Sequence, residues 1–277
     1  MHKAHRWLLP VLVALGVAAG PAAAQAATLV EHNAQPLGVT TNVGSPPEFG
    51  RCIKTTGGEY ENAACTKASG TAKHYEWFPA FGGAQPLEKR KFTTAIKEST
   101  SVTLETVAAT KVVCSGETST GEYSGNKTVG NIVVTFTGCS GFEAACQSEG
   151  ASAGTIVTNV LEGVLGVETP GAEPSEDKIG EDLYPAGHTG TFAQFTCAGL
   201  PMSISGAAIA RVVANSMSIS DNVKFKASGG HQQPEHFFGE AAEVLMFTFN
   251  GGTPEQAGET LTSVQTNEEK VEINSVV

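Results

Sequence analysis

Asn131-Ile132-Val133-Val134-Thr135-Phe136-Thr137 is the stretch that decides the fold class. Ile132, Val134 and Phe136 fall on one side of an extended chain and Val133, Thr135 and Thr137 on the other, the period of two that a pleated strand imposes. The same period returns in Val102-Leu104-Thr106, Met202-Ile204, Met217-Ile219, Val223-Phe225, Leu245-Phe247-Phe249 and Val271-Ile273. Glycine-rich turns separate these runs. No window offers a helix with an apolar stripe; Ala207–Ala214 is apolar enough but short and rich in β-branched residues. The pattern predicts an all-β protein, a sandwich or irregular barrel of a dozen or more short antiparallel strands in a single domain.

Composition agrees. The 277 residues are 40% hydrophobic and only 16% charged, with 32 glycines and 13 prolines, which disfavours coiled coils and helical bundles. An outer-membrane barrel is the rival all-β reading. Aromatics at 7% without girdles, and Val277 as the last residue, argue against it.

Residues 1–26 read as a signal peptide. His2, Lys3, His5 and Arg6 make a basic start, Trp7 to Ala19 an apolar stretch, and Ala24-Gln25-Ala26 an A-x-A cleavage pattern. Residues 27–47 lack periodicity and form an extended leader, leaving 48–277 as the all-β domain. The expected localisation is secreted, with no membrane insertion after signal cleavage. The formal charge is −11, and losing Lys3 and Arg6 leaves 15 basic residues against 28 acidic ones. So acidic a surface repels phosphate backbones, which excludes nucleic acid as a partner class.

Six cysteines in an exported chain imply disulfides. Cys52 and Cys65 flank the turn Thr56-Gly57-Gly58, and Cys139 and Cys146 enclose the loop Ser140 to Ala145. Cys114 and Cys197 each end an apolar run and remain for one another. The expected pairs are therefore Cys52–Cys65, Cys139–Cys146 and Cys114–Cys197. No C-x2-C spacing points to zinc, and neither a metal site nor a cofactor is expected.

Chemistry-bearing motifs are missing: there is no G-x-S-x-G, H-E-x-x-H, phosphate loop or G-x-G-x-x-G before a helix. His231, Glu235 and His236 form the densest titratable cluster and read as a polar loop shaped by Pro234 and Gly239. Glu168 to Gly190 reads as a long acidic loop, with Glu173, Glu176, Asp177, Glu181 and Asp182 as oxygen donors for Ca²⁺ if it held any. Glu117, Glu122 and Glu162 are the carboxylates a glycosidase could draw on. Tyr75 and Trp77 share a strand face and could stack on a sugar, the alternative being that Trp77 anchors the core.

The runs Phe49-Gly-Arg-Cys52 … Cys65-Thr66, Gly121-Glu-Tyr-Ser-Gly … Thr128-Val-Gly-Asn-Ile-Val-Val-Thr-Phe-Thr-Gly-Cys139, Pro234-Glu-His-Phe and Thr266-Asn-Glu-Glu-Lys-Val-Glu-Ile-Asn274 carry a resemblance. The chain resembles an uncharacterised family of secreted, disulfide-bonded proteins found as many paralogues in high-GC soil actinobacteria, over essentially all of residues 48–277. That resemblance implies an exported β-protein and assigns no catalytic or binding residue. Residues and resemblance together lead to a non-enzymatic protein, structural or binding, at or outside the cell envelope, with cell-wall or extracellular glycan as its partner. The alternative is a secreted hydrolase acting on polysaccharide.

Overall fold

The computed structural model describes residues 47–68, 70, 74–172, 176–213 and 216–274. The signal segment, and the leader apart from Pro47, lie outside the described residues. In chain order the first strands are β1 (Glu48–Lys54), β2 (Tyr75–Pro79), β3 (Lys91–Ile96), β4 (Val102–Thr106), β5 (Lys111–Cys114), β6 (Gly116–Tyr123) and β7 (Thr128–Thr137). Then come β8 (Ser140–Gly141), β9 (Ala144–Gln147), β10 (Ile156–Val157), β11 (Leu161–Thr169), β12 (Lys178–Pro185) and β13 (Ala193–Cys197). The last are β14 (Leu200–Ser205), β15 (Ala208–Val212), β16 (Ser218–Phe225), β17 (Ala227–Ser228), β18 (His231–Gln232), β19 (Leu245–Phe249) and β20 (Glu255–Asn274). Among the described residues there is no α-helix.

The pairings close into two antiparallel rings that share one strand. The first runs β3-β6-β7-β11-β12-β15-β16-β20 and back to β3. The second runs β4-β5-β8-β9-β13-β14-β19-β20 and back to β4. Closure removes the free edges that an open sheet would expose. β20 belongs to both because it is long: Glu255 to Thr260 pairs in the second ring and Leu261 to Val271 in the first. Its last residues pair with β1, which carries β2.

Inward positions follow the period of two. Ile132 and Val134 of β7 are buried inside the first ring, with Phe136 partly covered, as Asn131–Thr137 predicted. Met202, Ile204, Leu245 and Phe247 fill the second ring. Ala207–Ala214 contributes β15, a strand whose small residues Ala208 and Ala210 are almost fully buried.

Cys52–Cys65 forms as expected, but the other two pairings are corrected: Cys114 bonds Cys139, and Cys146 bonds Cys197. The cause is register. Gly116 lies opposite Thr137 in the β6–β7 hairpin, so Cys114 and Cys139, just beyond its two ends, meet with Cα atoms 4.0 Å apart. Cys146 and Cys197 face each other directly across β9 and β13. Cys139 and Cys146 do lie opposite on the β8–β9 hairpin, where Cys146 N–H donates to Cys139 O at 3.0 Å, yet each side chain bonds elsewhere.

The acidic loop is also corrected. β11 extends to Thr169 and β12 begins at Lys178, so only 170–177 connects them. Glu181 and Asp182 sit on β12, Glu181 facing into the first ring.

Candidate functional site

The outer face of the second ring carries a groove of about 760 Å³, within the range of small-ligand sites. Its floor is set by strand register. Gln194 of β13 lies opposite Ser203 of β14, and Ser203 opposite Thr248 of β19, so the three make a row across neighbouring strands. Thr196 pairs with Gln147 of β9 beside that row. These side chains point outward because Phe195, Met202 and Phe247, their chain neighbours, are buried in the ring.

Two turns raise the walls. On one side Ser148 N–H donates to Thr155 O at 2.9 Å, and Gly150 takes φ +75°, a conformation that favours glycine. Ser148 Oγ donates to Gln194 O at 2.8 Å and accepts from Val157 N–H at 3.0 Å, which ties that turn to the floor. On the other side Gly252 N–H donates to Phe249 O and Asn250 N–H to Pro201 O. The groove thus offers two amides, several hydroxyls and one carboxylate, Glu149. The amides of Gln147 and Gln194 have no partner among the described residues. Such a lining can exchange hydrogen bonds with a neutral, hydroxyl-rich ligand.

The carboxylates single out a different place, the interior. Three small cavities, of about 50, 50 and 30 Å³, follow one another inside the rings. Phe136, Phe192 and Glu259 line the first two, and Glu181, Val223 and Gln265 the second and third. Glu117 in the second accepts hydrogen bonds from Thr94 Oγ at 2.5 Å and Ser263 Oγ at 2.6 Å. Burial raises its pKa, against those two hydroxyls. Burial also pushes Glu259 up to about 8, with the Glu117 charge adding to the effect. Glu181 rises to about 7 through burial and the neighbouring Asp182, and Glu272 to about 7 through burial.

The sequence-predicted residues are dispersed. Tyr75 and Trp77 lie on β2, half-buried, beyond the C-terminal end of β20 and not in the groove lining. The Trp77 ring fills the space over Gly50, where an added Cβ would come within 2.3 Å, and its Nε1 is buried without a partner. Of the glycosidase candidates, Glu117 faces the interior, Glu122 accepts from Asn131 Nδ2, and Glu162 accepts from Gly187 N–H. His231 bonds Glu235 at 2.9 Å while His236 donates to Phe237 O, so the cluster is spent on local contacts. Asp177 and Glu176 accept from Gly171 and Ala172 N–H, closing the 170–177 turn on itself. Among the described residues, the one group of three close ligand-type side chains is Cys52, Cys65 and Glu272, and its two sulfurs are bonded to each other.

Gln147, Gln194, Thr196, Ser203 and Thr248 escaped the sequence reading. The available signal was the polar residue between two buried ones in Phe195–Cys197 and Met202–Ile204, and the polar Thr248 next to buried Phe247. It shows that a face is exposed without showing which strands adjoin. No family model, curated protein or solved structure matches the chain. Three disulfides are formed, and among the described residues no helix is long and apolar enough to cross a membrane.

Proposed function

We propose that this is an exported, non-enzymatic binding protein acting at or beyond the cell envelope, and that the groove on the second ring holds a glycan. The observation that carries the reading is the register-aligned row Gln194, Ser203 and Thr248, flanked by Thr196 and Gln147, on the floor of a groove of ligand size. Its amides and hydroxyls match the alternating donors and acceptors of sugar hydroxyls. Three disulfides suit an oxidising compartment. A polysaccharide hydrolase needs two carboxyls flanking the bond it cleaves, and the groove lining supplies Glu149 alone.

Titration of the protein with cell-wall and extracellular oligosaccharides, followed by amide NMR, tests this. Shifts should cluster at Gln147, Gln194, Thr196, Ser203 and Thr248. Gln194→Ala should weaken binding by about tenfold, the equivalent of about 1.4 kcal/mol and of one lost hydrogen bond. Binding that survives Gln194→Ala and disappears with Trp77→Ala would move the site to β2 and refute the groove.

A further inference from the structure

The interior of the first ring is chemically unbalanced. Glu117 comes from β6, Glu181 from β12, and Glu259 from β20 at the junction of the two rings. Asp221 of β16 and Glu272 of β20 join them in the next cavity, beside Tyr123 of β6. Facing these acids, β3 supplies Thr94, β6 Ser119, and β20 Ser263, Gln265 and Asn267. β4, β5, β7, β14, β15 and β19 present apolar side chains. Among the described residues lining the three cavities there is no Lys, Arg or His.

Two of these carboxyls stand without help. Glu259 is 7% exposed, and neither it nor Glu181 has a side-chain hydrogen bond among the described residues. Glu272 Oε1 is buried and also unpartnered. A buried, unpaired carboxylate is among the most unfavourable arrangements a protein interior can hold, so the group takes a proton or a cation. Among the described residues, no three of these acids bring oxygens within 4.8 Å of one another, so they do not converge on one ion.

We infer that the interior acids form a proton-loaded latch: the two rings close around neutral carboxyls at the junction on β20, and loosen there when those carboxyls ionise. Geometry supplies the direction of the effect. Ionised, Glu117, Glu181 and Glu259 would repel one another in cavities too small to hydrate them, since about 50 Å³ admits only a few waters. The folded state therefore binds more protons than the unfolded chain. The stabilisation is complete below the ordinary carboxyl range near pH 4.5 and is lost as pH rises through about 7 to 8. The consequence is a protein that is tight in mildly acidic surroundings and opens in alkaline ones.

Thermal unfolding between pH 6 and pH 9 tests the inference, with Glu181→Gln/Glu259→Gln as the comparison, because a carboxamide imitates a protonated carboxyl. The wild-type melting temperature should fall by more than about 10 °C across that range, and that of the variant by less than half as much, because Glu272 and Asp182 still ionise there, with the variant the more stable at pH 9. Should the variant fail to fold, ¹³C-carboxyl NMR titration of the wild type decides: at least two glutamates should titrate above pH 6. A flat wild-type profile, an equal fall in the variant, or titration of every carboxyl below pH 5.5 would overturn the latch. So would recovery of the lost stability at pH 9 on adding Ca²⁺, which would make the interior a cation site.

Discussion

Arg211→Leu isolates one interaction whose surroundings are fully specified. Glu168 of β11 and Arg211 of β15 are separated by β12, and they meet over Gly180, which lies opposite Arg211. A Cβ at position 180 would stand 2.9 Å from Glu168 Oε1, so the absent side chain is what lets the pair bridge two strands. Arg211 donates from Nε to Glu168 Oε2 at 2.7 Å and again from a terminal nitrogen. The carboxylate is 1% exposed and the guanidinium 44%. Breaking a buried pair from one side costs about 3–5 kcal/mol when the remaining charge is stranded. Water already reaches the Arg211 side and can replace part of it, which lowers the expectation to about 2–3 kcal/mol. Urea unfolding at pH 7, followed by far-UV circular dichroism, should read that loss, with a melting temperature lower by about 5–10 °C. Glu168→Met combined with Arg211→Leu removes both charges and should recover to within about 1 kcal/mol of wild type. An Arg211→Leu protein within about 0.5 kcal/mol of wild type, or a double variant worse than the single, would refute the reasoning.

Three further outcomes follow from the packing. Non-reducing peptide mapping should recover Cys114 with Cys139 and Cys146 with Cys197. Replacing Cys146 and Cys197 by alanine should cost about 4 kcal/mol in the chain-entropy model for a separation of 51 residues. Gly166→Ala would drive a Cβ to 2.2 Å from the Phe237 ring, and the expected loss of about 1–3 kcal/mol should appear with faster proteolysis within 234–243. Trp77→Ala should cost about 2–3 kcal/mol, below the 3–5 kcal/mol of a fully buried ring because Trp77 is half-covered; a loss under about 1 kcal/mol by urea titration would mark the ring as surface decoration.

Strands whose inward residues are apolar were legible. Val102–Thr106, Asn131–Thr137 and Leu245–Phe249 alternate cleanly, and each falls within a strand of a ring. β20 was legible only at Val271 and Ile273, although it holds both rings together. Between Ala257, Leu261 and Val271 its inward residues Glu259, Ser263, Gln265 and Asn267 are polar, so the hydrophobic period is broken where the strand matters most. The same masking hid β12, whose inward residue between Ile179 and Leu183 is Glu181.

Disulfide pairing failed for a related reason. Enclosing a short loop makes two cysteines near neighbours in the chain, but their bond depends on which strand lies beside each one. That is set by Gly116 lying opposite Thr137 and by β13 lying beside β9, partner strands remote in sequence from the six residues between Cys139 and Cys146.

The sequence by itself determined the all-β class, the strand-and-glycine rhythm and the Cys52–Cys65 link, because each depends on residues near one another along the chain. Only the tertiary structure decided the two rings on β20, the groove floor of Gln194, Ser203 and Thr248, and the unpaired acids within. Each of these requires strands distant in sequence to be neighbours in a fixed register, and alternation along one strand carries no information about what lies across the hydrogen bonds.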